Sequence, residues 1–135
     1  MTKLKLDALK VLVVDDHPDV RVTIVRNLQS LGFKYFDQAA NVDEAMVKID
    51  ATPYNIVFLD VHMPGKTGYY LLEKCRQEKK FANTAFVIVS SDSEKSAVIE
   101  ALKAGANAFI VKPIEEKSFK EYVNKMVVWL EPRVV

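Results

Sequence analysis

Five short apolar runs, Val11–Val14, Tyr35–Ala39, Ile56–Leu59, Ala85–Val89 and Ala108–Val111, alternate along the chain with segments whose apolar residues recur at helical spacing. This rhythm limits the fold more than any other feature. The first, third and fourth runs are nearly unbroken in Val, Ile, Leu and Phe, the composition of strands covered on both faces. The second is more polar and suits a sheet edge. Val20, Ile24, Leu28 and Leu31 share one helical face, and Gly32 follows as a stop. Asn41 and Glu44 form a capping-box pattern that opens a second helix running to about Ile49. A third helix is predicted from Gly68 to about Gln77, with Leu71, Leu72 and Cys75 inward, and a fourth over Glu94–Ala104, closed by Gly105. Phe119, Tyr122, Val123, Met126, Val127 and Leu130 give the last helix a single apolar stripe. Strand and helix alternating in this way require a parallel sheet with helices on both faces, joined by right-handed crossovers. The α/β class follows, doubly wound, in one domain spanning residues 1–135 with its folded core over about residues 10–130.

Composition excludes several function classes. The formal net charge is +1, and no basic run or arginine stripe marks a nucleic-acid surface, so no direct nucleic-acid binding is expected. Cys75 is the only cysteine, which rules out an intramolecular disulfide and favours a reducing compartment. The opening MTKLKLDALK lacks the apolar core of a signal peptide, and no stretch approaches the roughly 20 apolar residues that cross a bilayer. A cytoplasmic location without membrane insertion is the expectation.

The chemistry-bearing residues fall at the carboxyl ends of the predicted strands. Asp15 and Asp16 follow the first, Asp60 closes the third, Ser90 and Ser91 close the fourth, and Lys112 closes the fifth just before Pro113. In a doubly wound sheet these ends border one crevice, where such folds bind ligands. Carboxylates, hydroxyls and one ammonium are therefore expected to meet in a single small site.

KVLVVDDHPDV, VFLDVHMPGKTG, VIVSSDSE and GANAFIVKPI, in that order and spacing, resemble the receiver domains of two-component response regulators, the CheY-like single-domain type in particular. The resemblance covers about Lys10 to Leu130, and RVTIVRNLQSLGF in the first helix is similar to chemotaxis receivers. It implies a flavodoxin-like five-stranded sheet in the order 2-1-3-4-5. It also implies a signalling switch, not an enzyme, phosphorylated on Asp60 by a sensor histidine kinase or a small phosphodonor. Mg²⁺ would be held by Asp15, Asp16, Asp60 and the backbone carbonyl of His62. A hard cation of this kind takes oxygen ligands and keeps several waters, so a few carboxylates suffice.

Lys112 would balance charge at the transferred group. Ser90 would hydrogen-bond a phosphoryl oxygen, and Phe109 would move inward behind it. Many CheY-like proteins carry Tyr there, and Phe109 fills the same space without a hydroxyl. The Lys112–Pro113 bond is cis in the family. His62 and Asp92 occupy positions that tune dephosphorylation and are expected to pair across the pocket, whereas His17 is expected to be a loop residue beside the site. Trp129 is expected on the last helix, away from the chemistry.

No output domain follows Leu130, so output is expected through a partner protein, at the face of the fourth helix, fifth strand and fifth helix. Alternatives are a relay passing phosphate to a histidine phosphotransfer protein, or a receiver cut from a larger regulator. An Asp-nucleophile phosphatase is disfavoured, because such enzymes place a second Asp two residues after the first and this chain has His62 there.

Overall fold

The computed structural model describes residues 4–134. Five parallel strands, β1 (Lys10–Val14), β2 (Tyr35–Ala39), β3 (Ile56–Asp60), β4 (Ala85–Ser90) and β5 (Ala108–Val111), lie in the order β2-β1-β3-β4-β5. Helices α1 (Pro18–Leu31), α2 (Val42–Ala51), α3 (Gly68–Arg76), α4 (Lys95–Ala104) and α5 (Glu116–Val134) connect and flank them. The expected sheet order is the observed one. No helix among the described residues is long and apolar enough to cross a membrane.

Strand side chains alternate between the two faces, and the core divides accordingly. Leu12, Val14, Val57, Leu59, Phe86 and Ile88 pack beneath α2, α3 and α4 with Val42, Leu71, Leu72 and Ala101. Val11, Val13, Ile56, Phe58, Val87 and Val89 pack against α1 and α5 with Ile24, Leu28, Phe119 and Val123. Phe58 and Phe119 stack with ring centroids 5.5 Å apart. Every residue of β3 and β4 is buried, whereas β2 buries only Ala39, as its polar sequence and edge position require.

Local signals set the helix ends. Gly32 and Gly105 adopt φ of 110° and 107° as left-handed caps of α1 and α4, a conformation that costs a residue with a Cβ. The Asn41 side chain accepts the Glu44 N–H at 2.8 Å, so the outward half of the capping box forms. Two short 3₁₀ turns, Leu6–Ala8 and Lys79–Phe81, have no periodicity of their own and were not legible in the sequence. The last helix runs beyond the predicted Leu130 and contains Pro132. Arg133 folds back on that final turn, donating to the Trp129 carbonyl with its guanidinium 3.9 Å from the indole centroid.

One tie at the amino edge of the sheet escaped the sequence reading. Arg76, the last residue of α3, donates to the carbonyls of Gly105 (2.9 Å), Phe81 (2.7 Å) and Thr84 (2.9 Å) and to Asn107 Oδ1 (2.8 Å). Asn107 Oδ1 also accepts the Phe86 N–H at 2.8 Å, and the guanidinium lies 4.8 Å from the Phe86 ring centroid. One planar fork thus joins the end of α3, the second 3₁₀ turn, the start of β4 and the α4–β5 loop.

Replacing Arg76 by Met leaves these acceptors short of donors. Each buried unsatisfied group costs roughly 1–3 kcal/mol, and water recovers part of this, so a net loss of about 2–4 kcal/mol is expected. A urea titration reads it as a lower midpoint with unchanged slope. Cys75 provides a second check. It is buried, and burial pushes its thiol up to about 11. Iodoacetamide at neutral pH should therefore leave the folded protein unlabelled and react with the urea-unfolded chain. Because the folded value lies above the thiol's ordinary value of 9.0, its contribution to stability is complete below pH 9.0 and lost as pH rises towards about 11. Wild type should consequently lose more stability than Cys75→Ala across that window.

Candidate functional site

The carboxyl edge of the sheet gathers the predicted residues. Asp15 leaves β1 with its N–H donating to the Ala39 carbonyl at 3.1 Å, and its own carbonyl accepts Arg21 Nη1 at 2.6 Å. Arg21 Nε donates to Gln38 Oε1 at 3.0 Å, so the β1–α1 loop is tied to the end of β2. Asp60 ends β3 and is 4% exposed; Asp15 is 1% exposed. Beside Asp60 the amino end of α3 approaches so closely that a Cβ on Gly68 would lie 2.2 Å from the Asp60 carbonyl oxygen. The Gly68 N–H donates to the Val61 carbonyl at 3.0 Å. Gly68 therefore positions the acceptor loop, a role its sequence context did not reveal.

Lys112 follows β5 across from Asp60 and precedes Pro113 through a cis bond. Its Nζ lies 3.0 Å from Asp15 Oδ2 and 3.4 Å from Asp60 Oδ1. Its N–H donates to the Ser90 carbonyl at 2.8 Å, which links the ends of β4 and β5. Ser90 is buried and its Oγ accepts the Asp92 N–H at 3.1 Å. Ser91 is exposed, so of the two hydroxyl residues Ser90 is the one inside. Phe109 is already buried in the core beneath α4, the inward arrangement that the resemblance associates with signalling.

Two expectations change. His62 and Asp92 do not pair: both are exposed, the Asp92 carboxylate accepts the Glu94 N–H at 2.9 Å, and the His62 side chain makes no hydrogen bond among the described residues. The Asp92 carboxylate is turned towards the start of α4 by its bond to the Glu94 N–H. His17, expected only beside the site, turns into it. Its Nδ1 lies 3.1 Å from Asp15 Oδ1 and 3.1 Å from Asp16 Oδ1.

The electrostatics are strained in one direction. Burial, followed by the charge of Asp15, pushes Asp60 above the usual carboxylate range, with Asp16 adding to the effect and Lys112 opposing it. For Lys112, burial works against the charged form, but its contacts with Asp15 and Asp60 outweigh that and hold it above its ordinary value. With one ammonium against the carboxylates of Asp15, Asp16 and Asp60, negative charge is in excess. Asp15 Oδ2 is paired with the Lys112 ammonium at 3.0 Å, whereas Asp16 Oδ1, shielded from solvent, has the His17 ring nitrogen 3.1 Å away and no hydrogen-bond partner. Ligand atoms of Asp15, Asp16, His17 and Asp60 all lie within 4.8 Å of one another. An acidic cradle with one ammonium and an unsatisfied carboxylate oxygen fits a hard divalent cation such as Mg²⁺, with Asp15, Asp16 and Asp60 as its holders. The His62 carbonyl accepts no hydrogen bond among the described residues, which leaves it available as a further ligand.

Comparison with known proteins agrees with this geometry. A family model described as the response regulator receiver domain matches residues 11–124. The chemotaxis protein CheY of Pseudomonas aeruginosa is 30% identical over 118 residues, covering 87% of this chain and 95% of its own. CheY1 of Helicobacter pylori is 35% identical over 114 residues, covering 84% and 92%. Among solved structures, the response regulator TrrA of Thermotoga maritima in complex with Mg²⁺ and BeF superposes with a TM-score of 0.76 at 30% identity, covering 87% of this chain and 98% of that one. A CheY-like receiver domain protein of Methanospirillum hungatei gives 0.81 at 25% identity, covering 93% and 99%.

The crowding of Asp60 and Asp15 has a measurable consequence. Asp60→Asn removes a buried charge whose ionised form the site disfavours. In metal-free buffer at neutral pH the variant is expected to be more stable than wild type by about 1 kcal/mol, roughly 3–5 °C in Tm. The gain should shrink in saturating Mg²⁺, which stabilises only the protein that binds it. Thermal melts with and without EDTA check both statements.

Proposed function

This chain belongs to the response-regulator receiver family, and we propose that it works as a phosphorylation switch with Asp60 as acceptor. A carboxylate oxygen of Asp60 attacks the phosphorus of phosphohistidine on a sensor kinase, or of a small acyl phosphate. The bond from phosphorus to the donor nitrogen or oxygen breaks as the new P–O bond forms, and the donor leaves with the electron pair. The observation that carries this reading is the placement of Asp60: a buried strand-end carboxylate with Lys112 Nζ 3.4 Å away and Asp15 and Asp16 alongside.

Asp15, Asp16, Asp60 and the His62 carbonyl would hold Mg²⁺, which when bound offsets the charge of the phosphoryl oxygens. Lys112 supplies the remaining positive charge from the opposite side of the pocket. Ser90 Oγ uses a lone pair for the Asp92 N–H and keeps its hydroxyl hydrogen to donate to a phosphoryl oxygen. Phe109 is already inward, so the phosphoryl group consolidates a packing the chain reaches by itself, a shift of population in place of a new fold. Output then passes through α4, β5 and α5, where Ile99, Leu102 and Val111 stand exposed. The chemotaxis proteins among its relatives support a partner protein as the receiver of that signal. The group that a phosphatase would need two residues after the nucleophile is here an exposed imidazole, which supports a switch over an enzyme acting on a separate substrate.

Intact-mass measurement after incubation with acetyl phosphate and Mg²⁺ tests the proposal. Wild type should gain one phosphoryl group, whereas Asp60→Asn and wild type in excess EDTA should gain none. Equal labelling of wild type and Asp60→Asn would place the acceptor elsewhere.

A further inference from the structure

His17 has no part in the mechanism above, yet its side chain is committed to the site. Pro18 opens α1 and restricts the residue before it to extended backbone, and His17 adopts φ −98° and ψ 112° as the helix N-cap. A residue at that position commonly caps the helix with its side chain, but His17 makes no such bond. Its backbone N–H donates instead to Asp15 Oδ1 at 2.9 Å, and Nδ1 stands 3.1 Å from both Asp15 Oδ1 and Asp16 Oδ1.

These spacings have a second meaning. Ligand atoms about 2.1 Å from a common ion and at right angles to one another are roughly 3.0 Å apart. Nδ1 therefore already stands at the separation of a neighbouring ligand from each of the two carboxylate oxygens. Asp15 Oδ2 is already paired with the Lys112 ammonium at 3.0 Å, but Asp16 Oδ1 is shielded from solvent without a hydrogen-bond partner, and one ammonium leaves the three carboxylates with negative charge that a cation would offset. The imidazole is mostly exposed, so it enters from the solvent side, where a hard ion would otherwise keep a water.

We infer that His17 is a nitrogen ligand of this metal centre, and that the site accepts borderline first-row divalent ions such as Co²⁺ or Zn²⁺ besides Mg²⁺. The inference rests on reading the acidic pocket as a metal centre. An all-oxygen set suits Mg²⁺, Ca²⁺ and Mn²⁺, whereas an imidazole suits later transition ions, for which affinity rises along the series towards copper. One imidazole thus raises the affinity for later first-row ions relative to that for Mg²⁺. Coordination uses the Nδ1 lone pair, so a proton held on Nδ1 in the metal-free protein leaves to solvent as the ion enters.

The test is calorimetric titration of untagged protein with Co²⁺ and, separately, with Mg²⁺, for wild type, His17→Ala and Asp15→Asn. The expected result is a loss of about tenfold or more in Co²⁺ affinity for His17→Ala, since removing even an outer-shell partner costs about 10–100-fold. Mg²⁺ affinity should change far less, which also reports that the variant is folded. Visible spectra should show Co²⁺ bands that shift between wild type and His17→Ala. Unchanged Co²⁺ affinity in His17→Ala, with both ions lost in Asp15→Asn, would overturn the inference and leave the metal centre intact. Equal losses for both ions in His17→Ala would make His17 a support for the carboxylates, and would overturn it too. Failure of Co²⁺ alone to bind wild type would overturn the inference, and failure of both ions would overturn the metal centre itself.

Discussion

Three carboxylates held within a few ångströms of one another, two of them buried, form the constraint around which the rest of the molecule is arranged. Asp15, Asp16 and Asp60 repel, and Lys112 offsets them only in part. Left to themselves such groups would move apart into water or take up protons. They stay because each is fixed by backbone that the sheet already determines. Asp15 follows β1 and Asp60 ends β3, two paired strands buried along their shared length, and Arg21 and Gly68 hold the loops that follow. The apolar core stabilises the fold, and the site draws on that stability to keep its charge cluster together.

The two edges of the sheet differ in kind. At the amino edge, Arg76 and Asn107 satisfy one another and the surrounding carbonyls, which locks α3, β4 and the α4–β5 loop together. At the carboxyl edge, excess negative charge, an unsatisfied Asp16 oxygen and a partly engaged hydroxyl remain. Between them runs the β4–β5 pair, in which Ile88 faces Phe109 and Ser90 faces Val111. That pair joins the site end, at Ser90 and Lys112, to an end anchored by Arg76 and Asn107, with α4 and α5 beside it.

His17 and His62 show how similar residues separate once the fold is known. Both follow a site aspartate within two positions, and both looked like flanking residues. His17 is oriented by Pro18 and by its own N–H on Asp15, so its ring meets the carboxylates. His62 is exposed in the loop after β3, and its side chain has no hydrogen-bond partner among the described residues.

The amino-acid sequence by itself determined the fold class, the helix and strand positions within a residue or two over most of the chain, and the set of residues at the carboxyl edge. It did so because these depend on local quantities: apolar periodicity, the glycines after α1 and α4, and the place of Asp15, Asp60, Ser90 and Lys112 after apolar runs. Tertiary structure alone decided which side chains meet. Arg76 reaching Gly105 and Asn107, Gly68 closing on the Asp60 carbonyl, and His17 rather than His62 entering the site all join segments or orientations that no spacing along the chain encodes. The physical reason is range: periodicity and capping act over a few residues, whereas hydrogen bonds and charges act wherever packing brings their groups together.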